Sequence, residues 1–351
     1  MGSKHRSQSW RLTYFLILFS VFTSGCSTVG YIWQAGRGQL SLMNQARPIE
    51  DVLKDPREAP RVKRMLASID GIKSYVESRG LKRTHNYQEY VKLDREAVSY
   101  VVTASDPLKF EPKLWSFPVV GSFSYLGYFS VEPARALAEE LRAQGYDVDV
   151  RGAQAYSTLG WFKDPVLSSM LPETDDEIGG LVNVVIHESV HATVYIPGQT
   201  SFNESLASFV ADKMTPDYLA SKFGEQSVEL KKYAEDDHAR DQRVHLFVNA
   251  YQELEGVYTS AATKESKLAQ KEKILKQLSE AVQAKRPLNN AVLLGFKTYG
   301  TGEKEFGVLY EKCGRDLGRF MKRVGGIDGK SFKDSQQSEF GPVILALAGE
   351  C

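Results

Sequence analysis

Residues Leu181 to Asp212 read LVNVVIHESVHATVYIPGQTSFNESLASFVAD. Upstream, Thr174-Asp175-Asp176-Glu177 has the form of a capping box, and Pro197-Gly198 supplies a stop, so the stretch between them predicts one helix. His187 and His191 both lie on it. Four residues apart, they project from one face about a turn from each other, which lets two imidazoles hold one zinc ion at roughly 2.0–2.1 Å each. Glu188 adjoins the first histidine but points about 100° round the helix, the position of a general base that acts on a water.

Two imidazoles alone bind zinc weakly, and a hydrolytic site takes three protein ligands. Glu204 is the candidate for the third. It falls thirteen residues after His191, past the Pro-Gly turn, in a second helical pattern (Phe202, Leu206, Phe209, Val210) that can fold back antiparallel to the first. A second reading of Glu204 stays open, as the end of a capping box begun by Ser201. In that case Asp212, eight residues on, is the next candidate ligand. The expected cofactor is one Zn2+ per chain.

Outward from this segment, hydrophobic residues are 42% and charged residues 25% of the 351, which excludes disorder and a multi-span membrane protein. Basic and acidic side chains balance at 44 each, so no global field favours nucleic acid. Three- and four-residue apolar spacing predicts amphipathic helices over Val62 to Glu77 and Tyr87 to Thr103. Trp115 to Phe129, rich in aromatics between Pro118 and several glycines, reads as short strands and turns. Pro133 to Gln144 reads as a helix stopped by Gly145, and Tyr146 to Arg151 alternates as a strand does. Beyond Ser201 helical patterns dominate, with highly charged stretches from Val228 to Tyr258 and from Glu265 to Lys285.

At the N-terminus, Lys4, Arg6 and Arg11 precede an apolar run from Leu12 to Phe22, then Thr23-Ser24-Gly25-Cys26. The run is shorter than the roughly 20 residues of a membrane span, so it reads as a secretory signal. The layout resembles a bacterial lipoprotein signal, which implies cleavage after residue 25, lipid on Cys26 and a periplasm-facing chain. Ser27 after the cysteine implies the outer membrane. Residues 26–60, without clear periodicity, are expected to lead from the lipid to a catalytic unit over 61–351, with the zinc-site helices at about 175–212. Cys313 and Cys351 can pair in that compartment or remain two thiols.

Together, Gly152 to Pro165 (GAQAYSTLGWFKDP), HESVH and FNESLASF resemble a bacterial family of zinc aminopeptidases, usually lipoproteins. Ser116 to Phe129 (SFPVVGSFSYLGYF), Pro287 to Ala291 (PLNNA) and Tyr310 to Phe320 (YEKCGRDLGRF) extend the likeness over most of the mature chain. Asn203 to Ser208 is similar to the glutamate-bearing helix of the gluzincin metallopeptidases. The resemblance implies an α+β, zincin-like fold with a mostly helical C-terminal half. It also implies a peptidase, aminopeptidase-like, with Glu188 as base and His187, His191 and Glu204 as ligands. Aminopeptidases of that type hold the substrate amine with glutamates, one of them on an edge strand before the zinc helix. Gly152 to Trp161 contains none, which leaves Glu173, Asp175, Asp176 or Glu177.

A tetrahedral intermediate needs a further electrophile. Tyr156, Tyr251, Tyr299, His238 and His245 are able by chemistry, and spacing does not choose among them. The expected partners are a peptide substrate and the membrane through the lipid. Two other readings are a catalytically idle zinc scaffold and an amidase or endopeptidase acting on cell-wall peptides. Against the scaffold, a structural zinc site has no need of Glu188.

Overall fold

The computed structural model describes residues 30–82, 84–117, 121–155, 163–300, 302–347, 349 and 351. The signal segment, Cys26 and Tyr156 lie outside them. The chain divides between Gln45 and Ala46 into two units. The described part of the first is one helix, α1, over residues 30–45, which exposes Trp33 and Leu40. No helix among the described residues is long and apolar enough to cross a membrane.

The larger unit begins with β1 (Arg47–Pro48) and α2 (Ile49–Lys54), in the stretch read from sequence as a lead-in. Helix α3 (Pro60–Ser78) follows, opened by a proline whose fixed φ suits the first turn. Its apolar positions Val62, Met65, Leu66, Ile69, Ile72 and Val76 fall at helical spacing, and all are buried. The next segment corrects an expectation. Residues 87–103 form strands, not a helix: β2 (Glu89–Val91), then a turn, then the start of β3 (Ser99–Ser105). Val98, Val101, Val102 and Thr103 are β-branched and carry the strand preference that the three- and four-residue spacing masked.

β4 (Trp115–Phe117) and β5 (Gly121–Phe123) pair antiparallel, and β6 (Tyr125–Tyr128) leads into α4 (Val131–Ala143). Gly145, at φ +89°, takes the left-handed turn that ends α4 and releases β7 (Asp147–Ala153). β3 is central in a three-stranded antiparallel sheet, between β6 and β7, with Val102 opposite Leu126 and Val150. Alternation sends Val102, Ala104 and Val148 to one face, where Ala134, Ala138 and Leu141 of α4 cover them. The opposite face carries Val101, Thr103 and Arg151. A second small sheet joins β1, β2 and β8 (Val166–Leu167).

From Ile178 onward the described chain is helical: α5 (Ile178–Thr193), α6 (Thr200–Phe223), α7 (Val228–Thr259), α8 (Lys264–Ala281), α9 (Asn290–Gly300), α10 (Glu303–Lys312), α11 (Leu317–Val324) and α12 (Gly341–Leu345). The fold is α+β, about 59% helix with small sheets and a mostly helical C-terminal half. α6 is the spine of that half. One side buries Phe202 and Phe209 against Phe306, Phe320 and Phe340, with ring centroids 5.4–6.0 Å apart. Cys313 and Cys351 form a disulfide with Cα atoms 4.8 Å apart, which settles their pairing.

Candidate metal centre and active site

The site grows from the turn between α5 and α6. α5 starts at Ile178, one residue past the expected capping box, with Glu177 as its N-cap and no side-chain cap; of the box only the Glu177 carboxylate accepting from Thr174 N at 3.3 Å is formed. After His191 the helix ends at Thr193, and six residues, Val194 to Gln199, return the chain. Gly198 turns at φ +76°. Such a short loop needs its polar backbone satisfied, and Asn203 does that for Ile196. Its Oδ1 accepts from Ile196 N at 2.9 Å and its Nδ2 donates to Ile196 O at 2.8 Å. A strap over 334–337 closes the turn from outside: Gln199 Nε2 donates to Asp334 O, and Gln336 N donates to Gly198 O.

This turn brings His187, His191 and Glu204 together. The two Nε2 atoms are 3.1 Å apart, His187 Nε2 is 3.4 Å from Glu204 Oε2, and His191 Nε2 is 3.6 Å from Glu204 Oε1. One ligand atom from each lies within 4.8 Å of the others. A tetrahedral ion with bonds of about 2.0–2.1 Å has ligand-to-ligand edges of about 3.3 Å, so the three residues fit a small divalent ion of zinc's preferences. Burial disfavours the charged form of the Glu204 carboxylate. The hydrogen bonds and charges of the two imidazoles outweigh it and hold that group well below the usual carboxylate range. Burial likewise opposes charge on His191, but Glu204 wins and its pKa is raised.

Glu204 is no capping residue here. α6 starts at Thr200 with no side-chain cap, and both Glu204 oxygens face the imidazoles. Asp212 lies two turns away and binds Asn183 of α5 at 3.0 Å and Arg240 of α7 at 2.9 Å, so it ties three helices together. Beside the cluster, Glu188 Oε2 is buried with no hydrogen-bond partner among the described residues, and so is His191 Nδ1. An unpartnered buried carboxylate oxygen at a cavity wall is placed to accept a proton from what enters. Behind Glu188 stands Tyr87, fully buried at φ +63°, its pKa pushed well up by burial and then by the charge of Glu188. Tyr87 is held in that strained backbone by its N–H to Asp164 O at 2.7 Å and by the Asn86–Asp164 pair.

His187, Glu188, His191 and Glu204 all face a cavity of about 660 Å³, roofed by the open face of the β6–β3–β7 sheet and by α9. The acids considered for a substrate amine stand elsewhere. Glu173, Asp175, Asp176 and Glu177 precede α5, at the helix end remote from the histidines, and Asp175 pairs with Arg64 at 2.7 Å. None lines the cavity. The electrophile candidates fare similarly: His238 and His245 are exposed on α7, and Tyr251 stacks on Phe110 at 3.9 Å between ring centroids. The side chain of Tyr299 lies outside the description. The residue missed from sequence is Tyr195. It lines the cavity with its ring 6.4 Å from that of His191, and burial and then the charge of Glu204 raise its pKa. Its position four after His191 was a readable signal, hidden because the helix ends between them.

No curated protein and no solved structure matches this chain. A model of the family described as "Putative aminopeptidase" matches residues 30–338, a span that takes in the whole turn with His187, Glu188, His191 and Glu204, and the chain therefore belongs to that family.

Proposed function

We propose that the protein is a zinc-dependent peptidase, with His187, His191 and Glu204 as metal ligands and Glu188 as general base. The observation that carries this is the convergence of the three ligand atoms beside a buried, unpartnered Glu188 oxygen in one cavity. Zinc, when bound, supplies a Lewis acid that polarises a scissile carbonyl and acidifies water. Glu188 accepts the proton of the attacking water at its carboxylate and returns it to the leaving amine. Tyr195 presents its phenol to the oxygen on which charge develops. Asn203 keeps the short loop, and so Tyr195 and Glu204, in register. The family's description makes removal of N-terminal residues the finer reading.

The test is the pair of zinc content and turnover. Glu188→Gln keeps volume and polarity but removes the base, so zinc should remain near one per chain while turnover falls by roughly 10² or more. Unchanged turnover in that variant would refute the mechanism. We also propose a lipid anchor on Cys26, at the periplasmic face of the outer membrane. Cys26→Ala should then leave a chain that no longer partitions into detergent.

A further inference from the structure

One stretch of chain supplies the cavity with large apolar side chains. Phe110, Pro112, Leu114, Phe123 and Tyr125 all line it, and all fall between the end of β3 and the start of β6. Their rings are braced by protein. Phe110 stacks on Tyr251 of α7 with centroids 3.9 Å apart and lies 5.4 Å from Tyr258, while Phe123 stands 6.1 Å from Phe117 and 6.4 Å from Tyr125. A wall held in place in this way loses little freedom when something packs on it. Leu114 and Tyr125 nonetheless stay 47% and 38% exposed. Large apolar side chains left in water at the mouth of a cavity mark a binding groove.

Gln336 ties this stretch to the metal-site turn. Its Nε2 donates to Ser122 O at 2.8 Å, and its Oε1 accepts from Thr200 N at 3.2 Å, one turn before Glu204. Two glycines then keep the space open. In β6, Leu126 lies opposite Val102 and turns with it towards α4, so Gly127, opposite Val101, takes the cavity face. Gly295 faces the same cavity from α9, and a Cβ at either position would meet nothing within 4 Å. Glycine is unfavourable inside a strand and inside a helix alike. Neither residue serves its own element, and both leave room for a side chain that comes from outside.

We propose that Phe110, Leu114, Phe123 and Tyr125, with the room over Gly127 and Gly295, form a subsite for one large apolar side chain of the peptide, aromatic or leucine-like. For cleavage this rests on the peptidase reading; for binding it stands without it.

The experiment uses the zinc-loaded protein and unlabelled pentapeptides: one all alanine, the others with a single Phe, Leu or Glu at each position in turn. Binding is read by calorimetry on the Glu188→Gln protein, and cleavage by mass spectrometry on the wild type. Phe or Leu at one position should bind roughly 10- to 200-fold tighter than alanine there, and Glu should bring no gain. That position, set against the bond cleaved, tells on which side of the bond the subsite lies. Tyr125→Ala and Leu114→Ala should each cut the advantage by roughly 10-fold, acting on KM more than on kcat. Gly127→Val and Gly295→Leu should shrink it by filling the room, with side chains that suit a strand and a helix. Zinc content and thermal melting of these two variants check that the fold is kept. If no peptide is cleaved but binding keeps its Tyr125-dependent preference, the peptidase reading fails and the apolar subsite stands. Equal affinity across the set, no affinity for any of it, or a preference that survives both Tyr125→Ala and Gly127→Val overturns the proposal.

Discussion

The molecule carries two pairs of histidines on long helices, and they have opposite surroundings. His187 and His191 sit four apart on α5, a helix buried along most of its length, with a carboxylate brought to them by the next helix. His238 and His245 sit seven apart on α7, where both are exposed and His238 meets only the side chain of Gln242 at 3.0 Å among the contacts described. Seven residues are about 10 Å along a helix, too far for two imidazoles to share an ion. The difference teaches that residue type is the smaller part of a metal site. Spacing aims the ligands, and burial removes the water that would otherwise compete for them.

The sharpest way to break the comparison is to remove one histidine from each pair. His191→Ala, or Glu204→Gln, takes away a ligand, and since loss of even an outer-shell partner typically costs 10–100-fold in metal affinity, zinc and activity should go together. His238→Ala and His245→Ala should leave both unchanged. Metal analysis by mass spectrometry after dialysis, beside a peptide-cleavage assay, reads all four. Zinc retained in full by Glu204→Gln would place the third ligand elsewhere.

A smaller effect separates the ligands from the cavity wall. Tyr195→Phe deletes one hydroxyl next to the cluster without touching a ligand, so zinc content should hold while kcat falls by roughly 10-fold or more and KM changes little. Steady-state kinetics on one peptide decide it. Wild-type kcat in the variant would return the electrophile's role to the residues named from sequence, with Tyr156 first.

The hairpin was legible because its chemistry is local: His187, Glu188, His191 and Glu204 fall within eighteen consecutive residues, and helical geometry converts those intervals into directions. The cavity opposite was not legible. Arg151 comes from a strand more than thirty residues upstream, and its direction follows from the pairing of β7 with β3, which no local pattern specifies. The misreading of 87–103 has the same root, since Val98, Val101 and Val102 satisfy a helical spacing while their strand is stabilised by β6 and β7. Helix α1 was missed because Gly30, Gly36 and Gly38 weaken any helical prediction. The Cys313–Cys351 bridge spans 38 residues, and composition alone left it open.

The two helices also meet, and the junction offers the smallest test. Tyr233 of α7 packs against the α5–α6 hairpin, where Asn183 Nδ2 donates to its hydroxyl at 3.0 Å and the Asp212 carboxylate lies 3.4 Å away. Burial, and then the charge of Asp212, push the Tyr233 phenol from 10.0 up to about 12, against a weaker pull from Arg240. The folded chain therefore keeps a proton that the unfolded chain releases first. Stability from this group is complete below pH 10 and is lost as pH rises towards about 12. A separation of that size corresponds to a ceiling of roughly 2–3 kcal/mol. Urea midpoints measured from pH 8 upward should fall more steeply for the wild type than for Tyr233→Phe, which sits lower by a near-constant ~1 kcal/mol below pH 10 for want of the hydroxyl bond. Asn183 keeps its bond to Asp212 in that variant and loses only the acceptor of its second N–H. Parallel curves would mean that the alkaline loss arises elsewhere and that α7 is joined to the metal-site hairpin by packing and the Arg240–Asp212 pair alone.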